Sequence, residues 1–286
     1  MHNYKTVLVG MIFAFIAGVA AAANVVYVTS FDNDSVLKFD ADTGASLGTF
    51  VPSGSGGLNG PTGLTFGPDG NLYVSSFTFN FSVLKYDGET GHFLGVFVQS
   101  GSGGLLTPMD LSFGPDGNLY VTSSYAGGVF RYNGTTGAFI DRFTANPSGA
   151  ESIRWRGNSL LISGHNDDEV LRFRAQNGAL IGPMNEGGFL DWATGFDFGP
   201  DGNIYVASFF DDAVVKFNRR TGQSMGTFAS NCLGPEMIEF GPNGDLYVAS
   251  YMSDSIDRFD GRSGRLKRSI SGGGLAGPMD IAFRDH

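Results

Sequence analysis

Four carboxylates at equivalent places in short alternating segments are the main candidates for metal chemistry. Glu151 and Glu236 are the second residues of segments that begin with Ala or Pro, and Asp110 and Asp280 are the third residues of similar segments. If these segments line a common channel, the four carboxylates converge near its mouth and could hold Ca²⁺, which takes roughly six to eight oxygen ligands. The alternative is that each carboxylate is isolated and hydrogen-bonds loop amides or water.

His165 is the histidine placed for proton transfer. The other three are His2 near the N-terminus, His92 at the start of a predicted strand and His286 at the C-terminus. His165 falls in a predicted loop on the same side of the fold as Glu151, where a histidine can act as a general base. We therefore take His165 and Glu151 as the candidate catalytic residues. An ordinary loop histidine is the alternative, because no His-x-His or Glu-x-His spacing accompanies it.

Aromatic residues follow segments of the type Leu-Tyr-Val-x-Ser at five places. The candidate ligand-binding rings are Phe31, Phe77, Tyr125, Phe209 and Tyr251. If they face a channel mouth, they form an apolar or sugar-stacking funnel, since ring faces and edges supply contact at a low entropic cost. Packing between neighbouring sheets is the alternative, and alternation with a period of two does not exclude it.

Composition and missing motifs exclude several classes of protein. The chain has 286 residues, 44 of them Gly, and only 16% are charged, which disfavours a helical bundle. A single Cys rules out an internal disulfide framework and a multi-thiolate metal site. The net charge of −10 argues against nucleic acid or an anionic membrane surface as a partner. No nucleophile elbow, His-Glu-x-x-His or haem-attachment motif is present.

Six copies of one unit position these side chains. The central residues of the repeated segment are spaced 46, 47, 41, 44 and 42 residues apart, at Tyr27, Tyr73, Tyr120, Leu161, Tyr205 and Tyr247. Each unit contains four short predicted strands with Gly-ended turns between them. Units of this length with four antiparallel strands are typical of propeller blades, because one such sheet cannot bury both faces alone.

The two ends of the repeat predict a closed ring. The first unit starts at a second strand, Val25 to Ser30, and the chain stops after a first strand, Pro278 to Phe283. The C-terminal strand is therefore expected to join the N-terminal blade. We predict an all-β, six-bladed β-propeller with four antiparallel strands per blade, as a single domain over residues 24–286.

Residues 1–23 have the pattern of a secretory signal peptide. Lys5 precedes an apolar run from Val7 to Val19, and Ala20 to Ala23 supply a small-residue cleavage site. Cleavage predicts a secreted or periplasmic protein without a membrane span. An uncleaved N-terminal anchor is the alternative.

The repeated residues carry a resemblance to known families. Gly-Pro-Asp-Gly-Asn-Leu-Tyr-Val, at 67–74 and again at 114–121, resembles the repeat of six-bladed NHL propellers. The chain is also similar to streptogramin (virginiamycin B) lyase and, more distantly, to the gluconolactonase and senescence-marker family. The lyase resemblance implies a His/Glu acid–base pair with Mg²⁺. The gluconolactonase resemblance implies metal ligands near the strand starts, where Glu151 and Glu236 match and Asp110 and Asp280 lie one residue on.

Three functions stay open at this point. The leading hypothesis is a propeller that binds a small molecule, a sugar or a protein partner at its channel-mouth face. The alternative is a Ca²⁺- or Mg²⁺-dependent lactone hydrolase or C–O lyase built on the residues above, so whether the protein is an enzyme is undecided. A structural surface protein is the third possibility, and fold analogy does not choose among them.

Overall fold

The protein is all-β. The computed structural model describes residues 24–185 and 188–284, which form 24 strands and four short 3₁₀ turns. The predicted signal peptide, residues 1–23, lies outside the described residues. None of the helical segments that are described is long and apolar enough to cross a membrane.

The strands form six sheets of four, which we number as blades in chain order. Blade 1 consists of β24 (Pro278–Phe283), β1 (Val25–Ser30), β2 (Ser35–Asp40) and β3 (Ser46–Val51). Blade 2 consists of β4 (Pro61–Phe66), β5 (Leu72–Ser76), β6 (Ser82–Tyr86) and β7 (Phe93–Val98). Blade 3 consists of β8 (Pro108–Phe113), β9 (Leu119–Ser123), β10 (Val129–Tyr132) and β11 (Phe139–Thr144).

The other three blades repeat this order, and every described pairing between neighbouring strands is antiparallel. Blade 4 consists of β12 (Ala150–Arg156), β13 (Ser159–Gly164), β14 (Glu169–Arg174) and β15 (Leu180–Pro183). Blade 5 consists of β16 (Ala193–Phe198), β17 (Ile204–Ser208), β18 (Ala213–Phe217) and β19 (Ser224–Ser230). Blade 6 consists of β20 (Pro235–Phe240), β21 (Leu246–Ser250), β22 (Ser255–Phe259) and β23 (Leu266–Ser271).

The first strands of the blades form a closed ring around the channel. Each first strand contacts the first strand of the next blade, in the order β4, β8, β12, β16, β20 and β24. The ring closes where β24 contacts β4. The C-terminal strand β24 pairs with β1, with Val28 opposite Ile281. The predicted six-bladed propeller, closed by the C-terminal strand in the N-terminal blade, is confirmed.

The hydrophobic core lies between blades, in six clusters that each combine side chains of two neighbours. A buried second-strand tyrosine recurs at the centre of most of them. Tyr73, for example, packs edge-to-face between Phe97 of its own blade and Phe113 of the next, with ring centroids 4.8 and 5.0 Å away. Such pairs stabilise by roughly 0.5–1.5 kcal/mol beyond the area they bury. Much of the phenylalanine in the composition is therefore part of the core.

A bulge interrupts the first strand of each blade close to its start. In blade 2, Pro61 pairs with Ser76 and Leu64 with Val74, so three steps along β4 match two along β5. The same shift follows Pro108, Ala150, Ala193 and Pro235, and it recurs between β24 and β1. Bulges re-aim side chains and are frequent beside functional sites. Here they occur at the second and third residues of the strand, where the candidate carboxylates lie.

Candidate functional site at the channel mouth

The mouth is the face on which the first strands begin. It is built from twelve loops, which join second to third strands and fourth to first strands, and we call these the mouth loops. The second residues of the first strands lie just inside the mouth and are buried; they are Thr62, Met109, Glu151, Thr194, Glu236 and Met279. Two of the six are acids, so a carboxyl-bearing floor lies beneath the loops.

Glu151 and His165 form a hydrogen-bonded pair. His165 Nδ1 lies 2.5 Å from Glu151 Oε1, and the two side chains are only 12% and 4% exposed. Burial raises the pKa of the Glu151 carboxyl, against the hydrogen bond and positive charge of His165, which lower it. The second oxygen, Oε2, is buried and has no hydrogen-bond partner among the described residues. Glu151 therefore keeps one acceptor that the described protein does not use.

His165 is held from its other side by Trp192. The two rings are stacked, with centroids 4.0 Å apart and an angle of 4° between their planes. Trp192 is 38% exposed and precedes β16 of the next blade. Its φ of +66° is left-handed, a conformation that costs a non-glycine residue roughly 1–2 kcal/mol. The indole thus fixes the imidazole plane from a strained backbone position.

Glu236 is a second buried carboxyl, and it has no ion-pair partner among the described residues. It is 9% exposed. Burial, together with the negative charge of Glu151, raises the pKa of Glu236 well above its ordinary value. The carboxyl also affects Tyr251, whose pKa is raised by burial and then by the charges of Asp32 and Glu236. The charge of Glu151 therefore acts on Glu236, and the charge of Glu236 acts on Tyr251 of the same blade.

Seven ring-bearing side chains of the mouth loops contact one another in ring–ring pairs, and we call them the aromatic rim. They are Phe31, Phe77, His165, Trp192, Phe209, Phe210 and Tyr251. Phe31 joins three blades, since its ring lies 5.9 Å from that of Phe77 and 6.4 Å from that of Tyr251. On the other side, Phe210 contacts Trp192 at 5.6 Å and Phe209 at 5.2 Å. Two arcs of aromatic contacts therefore flank the buried acids.

The predicted ring Tyr125 lies apart from these arcs. It is 82% exposed and makes none of the described ring–ring contacts. In blade 3 the position directly after the second strand is occupied by Ser124, and Tyr125 is one residue further along. Of the five rings predicted from sequence, the structure brings Phe31, Phe77 and Tyr251 together, with Phe209 in the second arc.

The rim also joins neighbouring blades. The rings of Phe31, Phe209 and Tyr251 each cover the glycine that precedes the first strand of the next blade. A Cβ on Gly60 would lie 3.0 Å from Phe31, and one on Gly277 would lie 2.8 Å from Tyr251. These rings are half-buried, so one side packs on the fold and the other borders the mouth.

The acidic residues that follow the rim mainly form caps. Asp34, Asp168, Asp212 and Asp254 all have φ near +50°. Each accepts a hydrogen bond from the backbone N–H just before the next blade's first strand, as in Gly234 N to Asp212 Oδ1 at 2.8 Å. Such Asp turns are common where a left-handed residue is needed. These carboxylates therefore position the loops.

The four candidate metal ligands lie at two different levels. Glu151 and Glu236 are at the mouth, whereas Asp110 and Asp280 are one residue deeper. Asp110 accepts hydrogen bonds from Ile153 N and Arg154 Nη1, and Asp280 accepts them from Leu64 N and Ile281 N. Within residues 24–185 and 188–284, no three His, Cys, Asp or Glu side chains are close enough to hold a metal ion. A shared Ca²⁺ or Mg²⁺ site of all four stays a prediction.

A cavity of about 570 Å³ opens at the opposite end of the channel, and we call it the lower cavity. Its charged lining residues near the axis are Asp110, Arg154, Asp197, Glu239 and Asp280. Burial raises the pKa of Glu239 well above its ordinary value, and burial with the nearby Asp110 raises that of Asp280. Three aspartates of the lower cavity connect neighbouring blades through hydrogen bonds that they accept from backbone N–H groups. Asp110 accepts one from blade 4, Asp197 one from blade 6 and Asp280 one from blade 2.

Sequence reasoning missed Trp192 and the lower cavity. The residue before the first strand is glycine in four blades, and a tryptophan among those glycines was the available signal. The fifth residue of the first strand is charged in three consecutive blades, as Arg154, Asp197 and Glu239. These charges inside the ring were the available signal for the lower cavity.

Solved structures with a similar fold include a chain of a nidogen/laminin complex and a streptogramin B lyase. A chain of a nidogen/laminin complex matches with a TM-score of 0.71 at 11% identity, over 91% of this chain and 97% of that chain. The structure of a streptogramin B lyase matches with a TM-score of 0.57 at 16% identity, over 74% of this chain and 68% of that chain. The chain has an NHL-like propeller fold. At these identities the likeness of the propeller concerns the fold alone. No protein-family model matches the propeller, and no curated protein matches it significantly.

Proposed function

We propose that this propeller binds a ligand at its channel mouth and that the ligand is a small molecule with an apolar body. The observation that carries the proposal is the aromatic rim around the buried acids Glu151 and Glu236. Binding sites typically combine apolar and aromatic walls with a few polar groups that fix orientation. The mouth has both components.

Exposed apolar side chains in the mouth loops support the proposal. Besides the rim, the loops expose Phe79, Tyr125, Phe189, Leu233 and Met252 by 44–89%. An apolar surface that is left open next to buried polar groups is typical of an interaction site. A protein or sugar partner would use the same surface, and the similar nidogen/laminin structure comes from a protein–protein complex. The buried acids favour the small molecule, because a flat partner would not reach them.

The proposal is tested by a fragment screen followed by rim variants. Fragments that bind in ligand-observed NMR are titrated against Phe209→Leu and Tyr251→Leu. Each substitution removes a ring while keeping an apolar side chain over the adjacent glycine. We expect affinity to fall about tenfold, which corresponds to roughly 1.4 kcal/mol. Phe139→Leu is the matched control, because Phe139 is a 41% exposed ring on the outer strand of blade 3. Equal affinity in the rim variants and the control would contradict the proposal.

An enzyme is the second candidate, and the 2.5 Å contact between Glu151 and His165 favours it. A carboxyl bonded to one ring nitrogen orients the imidazole, so that Nε2 is left to exchange a proton with a substrate. The reaction class would be lactone hydrolysis or C–O elimination, with or without Ca²⁺ or Mg²⁺. Esters and lactones are assayed with His165→Asn and Glu151→Gln, each with and without the metals. Activity that both variants retain would exclude this pair as catalytic residues.

We propose further that the protein is secreted or periplasmic. The support is the signal-like sequence of residues 1–23, which precedes the described propeller. Fractionation and N-terminal sequencing of the expressed protein test this proposal. A mature N-terminus at residue 23 or 24 is expected, and full-length protein in the cytoplasm would contradict it.

A further inference from the structure

The mouth loops are rich in acidic residues, and His165 is the basic side chain among them. None of the twelve loops includes a Lys or Arg, whereas eight aspartates lie in them: Asp32, Asp34, Asp167, Asp168, Asp191, Asp211, Asp212 and Asp254. Basic residues do occur in loops of the opposite face, as at Arg219 and Arg262. Arg142 of β11 is the basic residue that reaches a mouth loop, where it donates to the carbonyls of Ala126 and Gly127. The potential at the mouth is therefore negative.

Two buried acids at the mouth lack full protein partners. Glu151 Oε2 is buried and unpaired among the described residues, although the carboxyl is only 4% exposed. Glu236 is 9% exposed, and among the described residues no hydrogen bond offsets the burial and the charge of Glu151 that raise its pKa. A buried polar atom without a partner destabilises the protein. A ligand that supplies a positive charge and N–H donors would remove this cost.

The surrounding rings suit the same ligand chemistry. Trp192 is 38% exposed beside His165 and Glu151, and Tyr251 and Phe31 border the mouth near Glu236. A cation over an aromatic face is attracted to the ring, most strongly when water is excluded. Acids beneath aromatic faces are a suitable environment for an organic ammonium group.

We propose that the ligand of the mouth is an organic cation, a protonated amine or quaternary ammonium on an apolar body. The inference rests on the proposed binding function and adds the charge of the ligand. Glu236 and Glu151 face the cation, and Trp192, Tyr251 and Phe31 contact its apolar part. An anion would meet eight aspartates and two buried acids. A divalent metal needs several ligands around one point, and the described residues do not provide that arrangement.

The test uses three probes that share a phenylethyl body and differ in the charge of the terminal group. They are 2-phenylethylammonium, 2-phenylethanol and 3-phenylpropionate. Their dissociation constants are measured by calorimetry at neutral pH. We expect the ammonium to bind at least about tenfold more tightly than the alcohol, and the carboxylate to bind most weakly.

Two variants test which carboxyl is responsible for the preference for the ammonium. Glu236→Gln keeps the shape of the side chain and should abolish the preference for the ammonium over the alcohol. Glu239→Gln is the matched control, because Glu239 also has a raised pKa but lies in the lower cavity. It should leave the preference unchanged. Circular dichroism and melting confirm that both variants fold.

The outcomes separate this inference from the binding function. If the ammonium and the alcohol bind equally and Tyr251→Leu weakens both, the mouth is a binding site but the charge inference is wrong. If none of the probes binds, or the carboxylate binds best, the charge inference is also wrong, while fragments of other chemistry still test the mouth. If Glu239→Gln removes the binding and Glu236→Gln does not, the lower cavity is the site and both proposals fail.

Discussion

At the scale of single residues, Trp192 is unusual because it occupies a backbone position that favours glycine. The six residues that precede the first strands all have φ between +45° and +66°, and four of them are glycine. Strained positions of this kind are often retained for function. The indole stacks on His165 and forms part of the aromatic rim, so its position is better explained by the mouth than by the core.

Trp192→Gly should separate stability from binding. The substitution relieves roughly 1–2 kcal/mol of left-handed strain but loses a ring stack of about the same size. The free energy of unfolding should therefore change by less than about 1 kcal/mol, as measured by urea denaturation. The affinity of a mouth ligand should fall at least about tenfold. Large destabilisation would assign Trp192 to the core instead.

Glu236 should make the protein less stable as the pH rises. Its pKa is raised in the folded state, so between the unfolded pKa near 4.5 and the raised value only the folded chain keeps the proton. Stability from this group is complete below that window and is lost as the pH increases through it. Glu239 and Asp280 contribute with the same sign, because burial also raises their pKa values.

Glu236→Gln should flatten this dependence. The amide stays neutral at every pH, so the variant should melt higher than the wild type near about pH 8 and similarly near about pH 5. Melting temperatures across that range provide the measurement. The exposed Asp42→Asn serves as the control and should leave the slope unchanged. A Glu236→Gln variant with the wild-type slope would show that Glu236 is ionised in the folded protein.

The residue types of the site were readable from sequence, but their contacts were only partly so. Glu151 and His165 were separate candidates, and the sequence held no spacing that joined them. Their contact depends on the bulge in β12 and on the loop after β13, which bring a strand start and a strand end of one blade together. Tyr125 shows the reverse, since one extra residue after β9 leaves its ring exposed.

At the scale of elements, the capping aspartates connect each blade to the next. Asp212 follows β17 in blade 5, and its carboxylate accepts the N–H of Gly234 just before β20 of blade 6. Its φ of +50° is tolerated best by Gly, Asn and Asp. One side chain thus meets both the conformational need of its own loop and the hydrogen-bond need of its neighbour.

Asp212→Ala and Asp212→Asn should therefore differ. Alanine loses the hydrogen bond and adopts the left-handed conformation poorly, so a loss of about 1–3 kcal/mol is expected. Asparagine keeps the acceptor oxygen and the conformation, so its loss should be below about 1 kcal/mol. Denaturant unfolding of both variants measures the difference. Equal losses would show that charge, and not the cap, is what the aspartate provides.

At the scale of the whole molecule, the ring depends on the seam where β24 joins β1. Ile281 of β24 is 1% exposed and occupies the same strand position as Ile238 of β20, which is fully buried. The chain ends supplied the sequence signal for this seam, because the first repeat lacks one strand and the last residues provide it. The signal for the lower cavity was weaker, because its charged residues Arg154, Asp197 and Glu239 differ from blade to blade and do not form part of the repeated sequence.

Ile281→Ala and Ile238→Ala should have similar effects. Each truncation leaves a cavity in an interblade core, which typically costs about 2–5 kcal/mol. Urea denaturation of the two variants compares the seam with an ordinary blade. A cost for Ile281→Ala far below that for Ile238→Ala would mean that the ring is open at the seam in solution.

The central claim, that the mouth is the binding site, is tested most directly by locating a bound ligand. Amide chemical shifts of the isotope-labelled protein are recorded during titration with a fragment that binds. We predict that the shifts cluster in the mouth loops, around Glu151, His165, Trp192, Glu236 and Tyr251. Shifts that cluster around Arg154 and Glu239 would place the site in the lower cavity and contradict the account.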